Sequence, residues 1–306
     1  MNDRLQADQP SLFCFGLGFS ARHLIGRLDR GIWHISGTAR VPVSENERPS
    51  DGTETFTFDG KSGQGGQDPK LLSRLEAATH ILVSIPPDAT GDPVLNSFGD
   101  VLGSNTRLRW IGYLSTVGVY GEHHGAWVDE TTTPAPVSQR SRYRLAAEQQ
   151  WQAFAERTGK RLVIFRLAGI YGAGRSAIDT VRAGRARRII KEGQRFNRIN
   201  VADIASVLEA SMGGRGSAPI LNVTDDEPAP PQDVIAYAAE LLGAPVPPAI
   251  DFENADLSPM ARSFYGENKQ VRNDLLKRDL QIRLEFPTYR EGLGAIARHT
   301  KHDAPR

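Results

Sequence analysis

Short apolar runs alternate with helical stretches through most of the chain. The runs are LFCFG (12–16), WHISGTA (33–39), TFTFD (55–59), HILVSI (80–85), LRWIGYLS (108–115), LVIFRL (162–167) and ILNV (220–223). Between the early ones lie SARHLIGRLDR, DPKLLSRLEAA and DPVLNSFGDVLG, each with leucines at helical spacing. Apolar strands without in–out alternation are buried on both faces, and strands alternating with helices pair in parallel. The pattern predicts an α/β fold, a doubly wound parallel sheet of about seven strands. After residue 170 the rhythm loosens. Prolines gather at PAPP (228–231) and PVPP (245–248), and the segments around them read as helical, which predicts a smaller C-terminal helix-rich lobe. GKSGQGGQDP (60–69) reads as a surface loop and KHDAPR (301–306) as a frayed tail.

Composition narrows the picture without changing it. With 306 residues, 39% hydrophobic and 24% charged, the chain has core enough for one large domain or two intimate ones. A net charge of +1 gives no global attraction to nucleic acid or to acidic membranes. Cys14, the single cysteine, sits in an apolar run and permits no internal disulfide, which fits a reducing compartment. The polar stretch MNDRLQADQP has no signal-peptide core, and no run approaches 18 apolar residues, so the expectation is a cytoplasmic protein with no membrane partner.

The first candidate chemistry is GLGFSA (16–21), a G-x-G-x-x-A pattern directly after the first strand. Gly16 permits the tight turn, Gly18 lets backbone approach a pyrophosphate, and Ala21 keeps the helix close to the sheet. The phosphates would sit on backbone N–H groups where the helix opens at Phe19 or Ser20. This makes residues 11–170 a dinucleotide-binding Rossmann domain, drawing also on about 196–226, and leaves 171–306 as the substrate lobe. NAD-binding proteins carry an acid about 20 positions on, to accept from the ribose 2′-OH. Here Arg40 stands at that place with no acid at 36–41, which favours NADP over NAD. Asp59, at the end of the third strand, either accepts from the adenine amino group or caps the following loop. Ser84 of SIPP (84–87) is counted with the cofactor positions.

Five motifs then occur in a telling order: GLGFSA, LSTVGVYG (114–121), the LAAE helix, FRLAGIYGAGR (165–175) and RINVADIA (198–205). Over roughly residues 11 to 225 the chain resembles the extended short-chain dehydrogenases/reductases, the group of the nucleotide-sugar epimerases and dehydratases. Its GLGFSA and SIPP motifs resemble an atypical bacterial branch labelled only NAD-dependent epimerase/dehydratase. The resemblance implies that Thr116, with Ser115 beside it, orients a substrate hydroxyl or carbonyl, and that Tyr120 packs or lines the pocket. It also implies a Y-x-x-x-K at the next helix, whose tyrosine is the general acid/base and whose lysine holds the nicotinamide ribose. Aligned on LAAE, those positions are Arg140 and Arg144.

The chain departs from the family there. Tyr143 is no substitute, since it is turned about 100° around the helix from Arg144. A guanidinium has no proton to exchange near neutrality. Gly169 also stands where the epimerases carry an Asn that contacts the sugar nucleotide. Three arginines, 140, 142 and 144, therefore crowd a helix start that Ser138 can cap, where the dipole favours anions. An anion between Arg140 and Arg144 would relieve them, and Arg142 is expected to be solvated.

Other candidates are weaker. His123 and His124 are adjacent in a loop with no metal-like spacing around them, so no metal is expected; they are exposed loop residues, or a substrate contact or general acid/base. Asp129 and Glu130 read as loop hydrogen-bonding groups. VRAGRARRIIK (181–191) is a solvated basic surface or a phosphate-holding segment, and lacks the interleaved aromatics of a nucleic-acid site. Two functions remain open. One is an NADP-dependent reductase, epimerase or dehydratase acting on a small anionic or nucleotide-sugar-like metabolite through an altered centre of Thr116, Arg140 and Arg144. The other is a non-catalytic NADP-binding sensor or scaffold.

Overall fold

The computed structural model describes residues 9–41, 52–60 and 68–302, the last four by backbone alone. The loop reading at 61–67 and the end of the tail at 303–306 lie outside the described residues. In chain order the main elements begin β1 (Ser11–Phe15), α1 (Phe19–Ile25), β2 (His34–Ala39), β3 (Glu54–Thr57), α2 (Pro69–Ala77), β4 (His80–Val83) and α3 (Pro93–Ser104). They continue β5 (Trp110–Thr116), α4 (Gln139–Thr158), β6 (Leu162–Leu167), α5 (Ala177–Arg182), α6 (Val201–Met212) and β7 (Ile220–Val223). The chain closes with α7 (Pro231–Leu242), α8 (Pro259–Phe264), α9 (Asp274–Leu280) and α10 (Tyr289–His302).

Every apolar run of the sequence became a strand of one seven-stranded sheet, ordered β7-β6-β5-β4-β1-β2-β3. The pairs β1–β2, β1–β4, β2–β3 and β4–β5 are parallel. The order reverses between β1 and β4, where Leu12 is in register with His80 and Phe15 with Val83. The fold is thus the doubly wound α/β Rossmann fold. Crevices at the carboxyl ends of strands flanking such a reversal are where these sheets bind ligands.

The chain divides into two compact units. The first holds residues up to Ser115, Arg142–Phe165 and Leu208–Ile220; the second holds Thr116–Ser141, Arg166–Val207 and Leu221 onward. The core of the first unit is aromatic. Phe13 and Phe15 of β1 lie 4.9 Å apart between ring centroids, and Phe15 lies 5.3 Å from Phe98 of α3. Trp151 and Phe154 bury α4's apolar face, as helical spacing from Leu145 anticipated. The two Asp-Pro pairs start helices: Asp68 accepts from Lys70 N (2.9 Å), and Asp92 from Val94 N (3.0 Å), with proline in the first turn. Ser138 accepts from Ser141 N at 3.2 Å and caps α4.

The second unit packs α5, α7 and α10 around Tyr171, Ile178, Val234, Tyr289 and Leu293. It also contains three short parallel pairings, Gly169–Tyr171 with Arg198–Asn200, Arg188–Ile190 with Ala249–Asp251, and Trp127–Val128 with Gln270–Val271. Strands of two or three residues are too short to carry a periodicity that betrays them. Among the described residues no helix is long and apolar enough to cross a membrane.

Candidate cofactor and catalytic site

Gly16 follows β1 with φ +94°, a conformation that glycine adopts freely and other residues adopt only at a cost. A Cβ there would lie 2.7 Å from Ser84 Oγ and 2.8 Å from Ile85 Cγ2. The turn is pinned from both neighbouring strands. Gly16 N donates to Thr38 Oγ1 (3.0 Å), and Leu17 N to Thr38 O (2.9 Å). The Ser84 hydroxyl donates to Gly16 O (2.8 Å) and Phe15 O (3.0 Å). Gly18 differs from Gly16: it is exposed, has φ −86°, and a Cβ on it meets nothing within 4 Å. That open face is space a pyrophosphate can take, and the residues present therefore fit a dinucleotide.

The other cofactor candidates fall around this turn to different degrees. Ser20 and Ala21 are buried in the first turn of α1, and Phe19, partly buried, stacks edge-on to His23 at 4.7 Å. Arg40 is exposed one residue beyond β2, and makes no hydrogen bond or ion pair among the described residues. Asp59 lies two residues beyond β3, partly exposed. Ser84 supports the turn from behind through backbone carbonyls. Cys14 is buried, and burial pushes its thiol up to about 12, which leaves it inert at neutral pH.

Arg144 is held within the first unit. Its Nη1 donates to Leu114 O (2.7 Å), to the Tyr113 hydroxyl (3.2 Å) and to Ile85 O (3.4 Å), and its guanidinium stands 5.6 Å from the Tyr113 ring. One turn further along α4, buried Glu148 accepts from Ser115 Oγ at 2.5 Å. The ends of β4 and β5 are thus tied to one face of α4. Thr38, Tyr113 and Glu148 went unnoticed in the sequence. Glu148 alone carried a signal, a charge among the buried positions of an otherwise apolar helix face.

The remaining catalytic candidates belong to the second unit. Thr116 Oγ1 accepts from Gly118 N (3.1 Å) and caps a short 3₁₀ turn, so its own proton remains available to a substrate oxygen. The exposed Arg140 rests 4.9 Å over the ring of Phe264, while Arg142 is exposed. Tyr120 is fully buried; it donates to Asn222 Oδ1 (2.8 Å), accepts from Arg166 (3.0 Å), and burial raises its pKa. It packs rather than reacts. Glu130 accepts from Asn222 N (2.8 Å), and Asp129 accepts from Thr131 N (2.9 Å), so both serve loop structure. His123 bonds Tyr120 O (3.1 Å), and Glu122 Oε1 accepts from the backbone N–H of His124, which has φ 50°. Gly169 opens a short strand, where a Cβ would sit 3.1 Å from Asn197 O. The basic run is not one solvated face. Arg182 and Arg185 are exposed, whereas Lys191 donates to Tyr265 O (2.5 Å) and Arg187 donates to Asp256 O.

The pinned glycine turn at a sheet reversal is the arrangement of a Rossmann fold. The model of the NAD dependent epimerase/dehydratase family matches residues 104–210. Among solved structures, a conserved protein of unknown function from Silicibacter pomeroyi DSS is 49% identical, over 95% of this chain and 99% of that one, with a TM-score of 0.85. A dTDP-glucose 4,6-dehydratase from Bacillus anthracis in complex with NAD shares the fold at 13% identity, over 96% of this chain and 97% of that one (TM-score 0.76). So does a UDP-glucuronic acid 4-epimerase from Bacillus cereus in complex with NAD, at 16% identity over 95% and 97% (TM-score 0.71). No curated protein matches the chain. The chain belongs to one family with the Silicibacter protein, and its residues 104–210 carry the similarity to the epimerase/dehydratase model.

Proposed function

We propose that the protein is an NADP-dependent enzyme of the epimerase/dehydratase class that acts on a small anionic or nucleotide-sugar-like metabolite through an altered catalytic centre. Residues 11–170 hold the dinucleotide in this reading, and 171–306 form the substrate lobe. The observation that carries it is Gly18, whose open Cβ direction beside the pinned Gly16 turn supports pyrophosphate binding. Gly16, Gly18 and the first turn of α1 receive the phosphates, and exposed Arg40 pairs with a 2′-phosphate. A bound nicotinamide dinucleotide supplies the hydride chemistry. Thr116 donates a hydrogen bond to a substrate carbonyl or hydroxyl oxygen and fixes its orientation. Arg140 stabilises negative charge without exchanging a proton, because a guanidinium stays charged.

A second reading has a specific observation in its favour. Arg144 gives three contacts to the protein itself, and Arg140 faces an aromatic ring. Neither replaces the proton donor of a Y-x-x-x-K helix, which suits a dinucleotide-binding sensor or scaffold. The test is NADPH oxidation against a panel of carbonyl metabolites, run beside calorimetric titration with NADPH. Tight NADPH binding with turnover on an anionic carbonyl supports the enzyme. Tight binding with no turnover across the panel supports the sensor, and no binding removes both.

A further inference from the structure

The second unit contains a cavity of about 310 Å³ that the glycine turn does not use. Arg187 and Arg198 lie in its wall with three tyrosines, Tyr171, Tyr265 and Tyr289. Val234 of α7 and Leu293 of α10 supply an apolar side. Its volume stands at the small end of ligand pockets, which run from about 300 to 1,000 Å³.

Arg198 gives the cavity its character. Its Nη1 donates to Phe196 O (2.9 Å) and Ala229 O (3.1 Å), which fixes the guanidinium. Among the described residues its other N–H groups have no hydrogen-bond partner and no carboxylate forms an ion pair with it. Asp225 is the acid that interacts most strongly with it. Asp225 is 1% exposed, its Oδ2 makes no hydrogen bond, and burial pushes its carboxyl up to about 8. A fixed guanidinium therefore lines the cavity with spare donors, an arrangement that an anion completes. A second arginine, Arg187, stands in the same wall.

We propose that this cavity binds a compact ligand with one anionic head, a phosphate monoester or carboxylate, on a single ring or short apolar body. Arg198 and Arg187 take the head, and the tyrosines with Val234 and Leu293 enclose the body. This deepens the anionic-substrate part of the proposed function and rests on it. A nucleoside diphosphate sugar, with two phosphates, two sugars and a base, exceeds what the cavity encloses.

The test is calorimetric titration of the full chain, without dinucleotide, using phenyl phosphate, inorganic phosphate and UDP as probes. Phenyl phosphate is expected to bind more tightly than inorganic phosphate, because its ring gains apolar contact, and more tightly than UDP. Arg187→Gln, an exposed position, is expected to weaken phenyl phosphate by about tenfold or more while the chain stays folded by circular dichroism. Arg198→Gln is expected to weaken it further, and if that variant does not fold, Arg187→Gln still decides. No saturable binding of phenyl phosphate, tighter binding of UDP, or an unchanged affinity in Arg187→Gln each overturns the proposal. NADPH titrated separately reports on the cofactor reading. Loss of phenyl phosphate binding with NADPH binding intact therefore sinks this site alone.

Discussion

Gly16 and Gly18 sit two residues apart in one turn, yet substitution should separate them cleanly. Gly16→Ala forces an L side chain to φ +94° and drives its Cβ to 2.7 Å from Ser84 Oγ and 2.8 Å from Ile85 Cγ2. The backbone strain and the overpacking together cost about 2–5 kcal/mol. Gly18→Val keeps an ordinary φ of −86° and points its Cβ into open space. Losing glycine as helix cap costs about 1 kcal/mol, offset by a similar gain from a stiffer unfolded chain, so stability should stay within about 1 kcal/mol of wild type. The same side chain occupies the pyrophosphate's space. Urea unfolding and calorimetric titration with NADPH and NADH should then give opposite profiles. Gly16→Ala loses stability, and Gly18→Val keeps stability but loses dinucleotide binding. Wild-type affinity in Gly18→Val, or wild-type stability in Gly16→Ala, would refute the reasoning.

Two further outcomes follow from single groups. Arg40→Ala should remove an NADPH preference worth about 1.5–3 kcal/mol while leaving NADH affinity unchanged; equal affinities in the wild type would end the NADP assignment. Asp225, whose carboxyl burial pushes up to about 8, favours its protonated form in the folded chain. That stability is fully present below the unfolded pKa of about 4 and is lost as pH rises through about 8. Asp225→Asn should therefore gain stability relative to wild type between pH 6 and 9 in paired urea titrations, and a constant difference across that range would contradict the buried-acid reading.

The sheet was legible because its strands are buried on both faces and so appear as unbroken apolar runs, LFCF and HILV most plainly. The glycine turn was legible for a local reason, since its geometry depends on residues adjacent in sequence. What holds that turn was not. Thr38 and Ser84 reach Gly16 from the neighbouring strands β2 and β4, and hydroxyls inside SGTAR and SIPP look like many others. The short pairings of the second unit were hidden because they depend on partners 29 to 143 residues away, as in Gly169 with Arg198 and Trp127 with Gln270. The resemblance left Tyr120 either packing or lining the pocket, and the residue lies buried beside Arg166 and Asn222.

Arg144 raises the question of what an arginine accomplishes at the position that aligns with the family's lysine. The start of a helix disfavours a cation by roughly 0.3–1 kcal/mol, so the residue must gain more than that elsewhere. The structure offers the gain within the protein: a carbonyl from each of β5's end and the segment after β4, plus the Tyr113 hydroxyl. All three contacts use Nη1, which leaves Nε and Nη2 for another acceptor such as a ribose hydroxyl. The two roles separate in Arg144→Lys. An ammonium keeps the charge and three donors, yet lacks a planar fork that can face two ways at once. If Arg144 is chiefly a clamp between strand ends, Arg144→Lys should lose about 1–2 kcal/mol of stability and bind NADPH within threefold of wild type. If it chiefly serves a ribose, stability should hold, and a lysine at 144 should bind NADPH at least as well as arginine does. The clamp is the expected outcome, since three protein acceptors already surround Nη1. Unchanged unfolding in Arg144→Lys, with a change in NADPH affinity alone, would reverse that assignment and return Arg144 to the cofactor.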